Sequence, residues 1–199
     1  MRIAVNHLKK ADPLLAKLVQ VVGPYRIEYR EPQFATLARS IVYQQLSGKA
    51  AGTIYGRLEE ATGGVTPDAV LALDEARLRS LGLSSQKTSY VRDLARRTAE
   101  GSLRFGELPA LDDETVIARL TAVRGVGVWT AQMFLIFALR RRDVLPVADL
   151  GVRNAMQRLY GLDAPPDAPR METIAAPWRP WRSVACWYLW RSLDGPAAL

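Results

Sequence analysis

One cysteine and one histidine in 199 residues remove most nucleophile and metal chemistry at once. Cys186 alone supports no intrachain disulfide, and this chain's thiolates cannot build a zinc knuckle or an iron–sulfur cluster. His7 lies in a polar N-terminal stretch, so a Ser-His-Asp triad or a His-rich metal site is not expected. No Walker A loop is present, and no dinucleotide-type G-x-G-x-x-G follows a strand-like run. Nowhere is there an apolar run long enough to span a bilayer. The opening MRIAVNHLKKADP also lacks the apolar stretch of a secretory leader, so a cytoplasmic location and no membrane partner are expected. An enzyme built from this chain works with carboxylates, aromatics and backbone amides.

What is present is ordinary in bulk and particular in detail. Hydrophobic residues make up 49% and charged residues 24%, the proportions of a globular protein. The length suits one large or two small domains. A formal charge of +7 points towards a polyanionic partner, although mildly basic proteins without one are common. Apolar residues recur at helical spacing nearly throughout: residues 12–22, 34–46, 48–61, 66–73, 74–81, 87–101, 112–122, 128–139, 150–160 and 181–193. Residues 25–29 are faintly strand-like, and 164–170 read as a proline-rich loop. The expected fold is all-α.

The most informative stretch is LTAVRGVGVWTAQMFLIFALRRRDVLPVADLGVR, residues 120–153. A Gly125-Val126-Gly127 turn opens it, an apolar helix without charge until Arg140 follows, and Asp149 stands at the start of the next helical pattern. Glycines ahead of a helix bare backbone N–H groups and tolerate close approach of a phosphate. Helix, short glycine turn, helix is also how an ordinary αα-hairpin is written. Asp149 before Leu150-Gly151-Val152 is a natural N-cap, a role compatible with chemistry because a helix N-terminus favours negative charge. In SIVYQQLSGKAA, residues 40–51, Gln44-Gln45-Leu46-Ser47 forms a polar corner between two helices. It reads either as a capped turn or as a tip that fills the gap left by an extruded base. In LGLSSQKTSYVRDL, residues 81–94, Lys87 lies on a helical face, as a DNA contact or as solvated charge.

Taken together, HLKKADP, IVYQQLSGKAA, GLSSQKTSYVRDLA, LTAVRGVGVWTA, DVLPVADLGVR and WRPWRSVACWYLW resemble the helix-hairpin-helix–GPD superfamily of DNA base-excision glycosylases. Within it the resemblance is to AlkA-like 3-methyladenine DNA glycosylases. It implies that Asp149 is the catalytic carboxylate and that Gly125, Gly127 and Thr130 hold the DNA backbone. It also implies that the carbonyls of Thr121, Val123 and Val126 bind a sodium or potassium ion. Gln45 falls at the intercalating-wedge position, with Leu46 beside it and the choice between them open. Relatives with a combined glycosylase and β-lyase activity carry lysine where this chain has Trp129. An indole cannot form a Schiff base, so a monofunctional enzyme without lyase activity or an iron–sulfur cluster is expected. At this length, the compact form without an N-terminal β-domain is expected as well.

Methylation at N3 of adenine or N7 of guanine makes the base a cationic leaving group, so no general acid is needed. An ionised carboxylate then suffices to stabilise an oxocarbenium-like sugar and guide water. A cationic purine suits an aromatic slot, for which Trp129, Trp190 and Tyr43 are the candidate walls, with Met133 replacing an aromatic of some relatives. The motifs offer few hydrogen-bonding groups for that pocket. Arg124, Lys49, Lys87 and residues 140–142 are candidates for the DNA track. The expected architecture is a two-lobed bundle with a cleft between lobes: residues 32–139 with the hairpin, and residues 1–31 plus 140–199 with Asp149. A monomer acting on damaged double-stranded DNA is expected, needing no cofactor. A glycosylase for a neutral lesion such as 8-oxoguanine and a non-catalytic hairpin module are the alternatives.

Overall fold

The computed structural model describes residues 1–194, and among these it is helical without strands. The helices are α1 (Arg2–Ala11), α2 (Pro13–Val22), α3 (Phe34–Tyr43), α4 (Gly48–Thr62), α5 (Pro67–Ala72), α6 (Glu75–Ser80) and α7 (Ser85–Ala99). They continue as α8 (Asp113–Thr121), α9 (Val128–Phe137), α10 (Leu150–Tyr160), α11 (Ala168–Ala175) and α12 (Arg182–Arg191). Two 3-10 segments, Phe105–Ala110 and Ala176–Trp178, complete the set. No described helix is long and apolar enough to cross a membrane.

The chain divides into two compact units, one formed by Met1–Tyr29 with Arg140–Leu199 and the other by Arg30–Leu139. In the first, α2 starts at a buried acid. Asp12 Oδ1 accepts the N–H groups of Leu14 (2.9 Å) and Leu15 (3.0 Å), and Pro13 begins the helix where its missing N–H is no loss. Asp12 Oδ2 accepts the Trp178 indole N–H at 3.0 Å and the Tyr160 hydroxyl. One carboxylate thus ties α2 to α10 and to the segment ahead of α12. Burial, then the neighbouring Asp12, raises the Tyr160 pKa, which keeps its hydroxyl a donor. The core around it is Leu8, Leu15, Leu18, Met156, Trp178 and Tyr188. Cys186 is fully buried there, and burial pushes its thiol up, so it packs rather than reacts.

In the second unit α3 and α5 pack on α7, and α8 on α9. Leu37, Ile41, Leu58, Val91, Leu94, Leu120 and Leu135 are completely buried.

Four differences from the sequence reading have physical causes. Residues 1–11 form an amphipathic helix rather than a polar stretch, burying Ala4 and Leu8. The proline-rich segment contains the start of α11, because Asp167 caps it and Pro169 sits in its first turn. Tyr25 and Ile27 alternate with exposed residues because they lean on a helical core, not because they pair in a sheet. The pattern of 34–46 outruns its helix, since α3 stops at Tyr43 and Gln45 takes φ +57°.

Candidate active site

The turn between α8 and α9 is built around Gly125. Its φ of +79° is the left-handed region that glycine alone enters cheaply. The Tyr90 ring of α7 also lies over it, so that a Cβ there would meet ring carbons at 2.0 to 2.5 Å. Val126 N–H closes the turn on the Val123 carbonyl at 3.1 Å, and Gln44 Nε2 donates to the Gly125 carbonyl at 2.9 Å. Helix α9 then starts from Gly127 with no side-chain cap, and space is open where a Cβ would stand. Backbone N–H groups at such a start suit a phosphate oxygen. Thr130 is buried one turn in, and Arg124 is exposed on the turn, its Nη1 3.5 Å from Ser89 Oγ.

The turn is anchored from beneath by Asp93, which the sequence reading passed over. Its Oδ2 accepts the Arg124 backbone N–H (3.0 Å) and Arg97 Nε (2.9 Å), while Oδ1 accepts Arg96 Nη2 (2.6 Å). At 4 % exposure, burial pushes the carboxyl up, but the hydrogen bonds from Arg124, Arg97 and Arg96 outweigh it and hold the pKa below its ordinary 3.8. Because the folded value is the lower one, the stability this group contributes is complete above about pH 4 and is lost as pH falls through the folded pKa. Asp93→Asn is therefore expected to cost about 2 kcal/mol at neutral pH. It should also make the fall in Tm shallower as pH drops below about 4, on the same linkage argument. Thermal melts across that range check it; parallel wild-type and variant profiles would show that Asp93 carries no charge-dependent anchoring.

The corner after α3 is held by Lys87. Its Nζ donates to the carbonyls of Val42 and Gln44, both at 2.7 Å, and partial burial lowers its pKa. Lys87, expected on the DNA track, clamps the end of α3 in this structure, where a cation satisfies terminal carbonyls. Between that clamp and the Gln44 bond to the hairpin, Gln45 is held exposed in its left-handed conformation and Leu46 is 39% exposed beside it. A non-glycine residue so constrained is a frequent mark of a functional tip. Of the arginines at 140–142, Arg140 lies 5.1 Å from the Tyr29 ring centroid and Arg142 5.3 Å from that of Trp181.

A cavity of about 490 Å³ opens between this corner and the hairpin, lined by Arg39, Tyr43, Gln44, Gln45, Trp129 and Met133, with Ser40, Gly125, Gly127 and Thr130. Tyr43, Trp129 and Met133 are thus brought together, and Trp129 remains 44% exposed at the start of α9. The expectation of a mainly aromatic pocket with few polar groups does not hold. Amide, hydroxyl and guanidinium groups share the lining, because α3 and the corner that follows it turn Arg39–Ser40 and Gln44–Gln45 to the same space as Tyr43. Arg39 Cζ stands 3.7 Å from the Tyr43 ring centroid.

In the other unit, Asp149 is the N-cap of α10 and 7% exposed. Its Oδ1 accepts the Val152 N–H at 2.7 Å and the Trp190 indole N–H at 2.9 Å. Trp190, expected as a pocket wall, directs its polar edge at the carboxylate. Gly151 makes room for it, since a Cβ there would stand 3.1 Å from Asp149 Oδ1 and 3.2 Å from Trp190 Cδ1. Two donors on one oxygen fix the orientation of the carboxylate.

One unit thus carries a hairpin with bare amides, a constrained tip and a cavity beside them, and the other a capped, oriented acid. Residues 38–180 match the family described as HhH-GPD superfamily base excision DNA repair protein, and the chain belongs to that superfamily. It is 37% identical over 166 residues to the putative DNA-3-methyladenine glycosylase YfjP of Bacillus subtilis, covering 79% of this chain and 58% of that relative. The fold superposes on the Schizosaccharomyces pombe 3-methyladenine DNA glycosylase Mag1 in complex with abasic DNA, with a TM-score of 0.87, 33% identity and 98% of both chains covered. The Bacillus halodurans DNA-3-methyladenine glycosidase gives a TM-score of 0.85 at 37% identity, over 95% of this chain and 88% of that one.

Proposed function

We propose that this chain is a monofunctional DNA glycosylase, acting as a monomer on double-stranded DNA, that extrudes alkylated purines and hydrolyses the N-glycosidic bond to leave an abasic site. The observation that carries the reading is the cavity walled by Tyr43 and Trp129 at the foot of the hairpin, roomy enough for a purine; the chain's likeness to relatives named for 3-methyladenine supports the substrate class. Gly125, Gly127 and Thr130 hold the phosphate, with Arg124 beside them. Gln45 or Leu46 enters the stack that the base has left. Asp149, oriented by Val152 and Trp190, stabilises the positive charge that develops on the sugar and directs water to it.

The carbonyls of Thr121, Val123 and Val126 are the candidate ligands of a sodium or potassium ion. The donor set fits: neutral oxygens at and just beyond the negative end of α8, with Val123 accepting one N–H and keeping a second lone pair. Such an ion would screen the same phosphate.

Single-turnover excision from one duplex carrying each lesion in turn tests the reading. Release of 3-methyladenine and 7-methylguanine is expected to exceed that of hypoxanthine and 8-oxoguanine by at least about tenfold, since the cationic bases are the better leaving groups. Borohydride is expected to trap no covalent adduct, because Trp129 offers no amine. Equal rates on charged and neutral lesions, or a trapped adduct, would overturn it.

A further inference from the structure

We propose that Arg39 is a specificity-determining residue of the base pocket. It hydrogen-bonds the acceptor edge of a neutral oxopurine and holds the preference for cationic bases below what the aromatic walls alone would produce. The inference rests on the glycosylase reading above and deepens it.

Arg39 and Tyr43 are four residues apart on α3, so their side chains fall on the same face of the helix. The guanidinium carbon lies 3.7 Å from the Tyr43 centroid, which leaves no room for a base on that face of the ring, and 5.9 Å from the Tyr55 centroid. Both Arg39 and Tyr43 line the cavity. Two consequences follow from the chemistry. One of the two π-faces that could take a cationic purine, that of Tyr43, already holds a cation, and a second positive charge entering the cavity meets repulsion. Guanidinium is also a planar donor that is never deprotonated, matched to the paired acceptors O6 and N7 of a purine. The lining supplies no carboxylate to neutralise it: besides the Tyr43 hydroxyl and the Trp129 indole N–H, its other polar side chains are Ser40, Gln44, Gln45 and Thr130. An oxopurine gains a donor from this arrangement, and an N7-methylated purine, with that acceptor blocked and a charge added, loses.

The test compares wild type, Arg39→Met and Arg39→Lys by single-turnover release of 7-methylguanine and of hypoxanthine from duplexes of one sequence. Because both rates come from one preparation, their ratio is insensitive to any loss of folded protein. In Arg39→Met, hypoxanthine release is expected to fall about tenfold and 7-methylguanine release to rise about threefold. Arg39→Lys, which keeps the charge without the planar fork, should fall between. A ratio within twofold of wild type in Arg39→Met overturns the assignment, as does an equal fall in both rates, which would mark Arg39 as a packing or phosphate residue. Release of 7-methylguanine but no hypoxanthine by the wild type also overturns it, and all three results leave the glycosylase reading standing. A wild type that releases neither base removes that reading, and Arg39's role with it.

Discussion

Asp149→Asn is expected to reduce single-turnover release of 7-methylguanine by about a thousandfold, the scale of removing a dedicated electrostatic stabiliser from a transition state. Binding to a duplex with an abasic-site analogue should stay within about threefold of wild type. The substitution is discriminating because Asp149 has two duties. As the N-cap of α10 it accepts the Val152 N–H at 2.7 Å, and asparagine caps a helix as well as aspartate does. The Trp190 N–H likewise keeps an oxygen to donate to. The substitution removes the negative charge and turns the second oxygen into an amide NH2 while keeping both bonds to Oδ1, so an unchanged Tm beside lost turnover assigns the loss to chemistry. Near wild-type turnover in Asp149→Asn would take this carboxylate out of the mechanism.

The second large effect is expected at Gly125. Gly125→Ala places a methyl group 2.0 to 2.5 Å from carbons of the Tyr90 ring while forcing a side chain into φ +79°. Overpacking costs about 1 to 3 kcal/mol and the left-handed penalty about 1 to 2 kcal/mol. Because both fall on one turn, the hairpin should open while the rest of the unit stays folded. Affinity for abasic duplex, read by fluorescence anisotropy at fixed salt, is expected to fall about a hundredfold. Gly127→Ala is the control, for its φ is −91° and nothing lies within 4 Å of the added carbon. A smaller loss there, with an unchanged Tm, measures only the closeness with which a phosphate approaches the start of α9. Equal losses at the two glycines would place the binding defect in phosphate approach rather than in the Tyr90-packed turn.

Asp149 and Gly125 are both legible in the sequence, and for the same reason. Caps, glycine turns and apolar periodicity are local statements, decided within one or two helical turns. Gly125-Val126-Gly127, the Asp149 cap and the helices around them are therefore written in short spacings. Where the local pattern misleads, something distant competes with it. The periodicity of 34–46 promises a longer α3, but Lys87, some 43 residues on, takes the carbonyls of Val42 and Gln44 and closes the helix at Tyr43. That lysine resembles a DNA contact because a cation on a helical face gives no sign of whom it faces.

The sequence by itself determined that the chain is helical, that it has a glycine turn followed by an apolar helix, that one cysteine and one histidine leave carboxylates, aromatics and backbone amides for any chemistry, and that position 129 offers no amine. Each depends on residue type and short spacing alone. Tertiary structure decided the rest, because the partners are far apart along the chain. Gln44 reaches Gly125 across 81 residues, and Trp190 orients Asp149 across 41. Tyr90 from α7 fills the space over Gly125, and Asp93 pins the turn from the same helix. Arg39 is the boundary case. Its stacking on Tyr43 follows from a spacing of four on one helix, but that the pair lines a cavity, and so sets the charge a base meets there, depends on packing that no local pattern encodes.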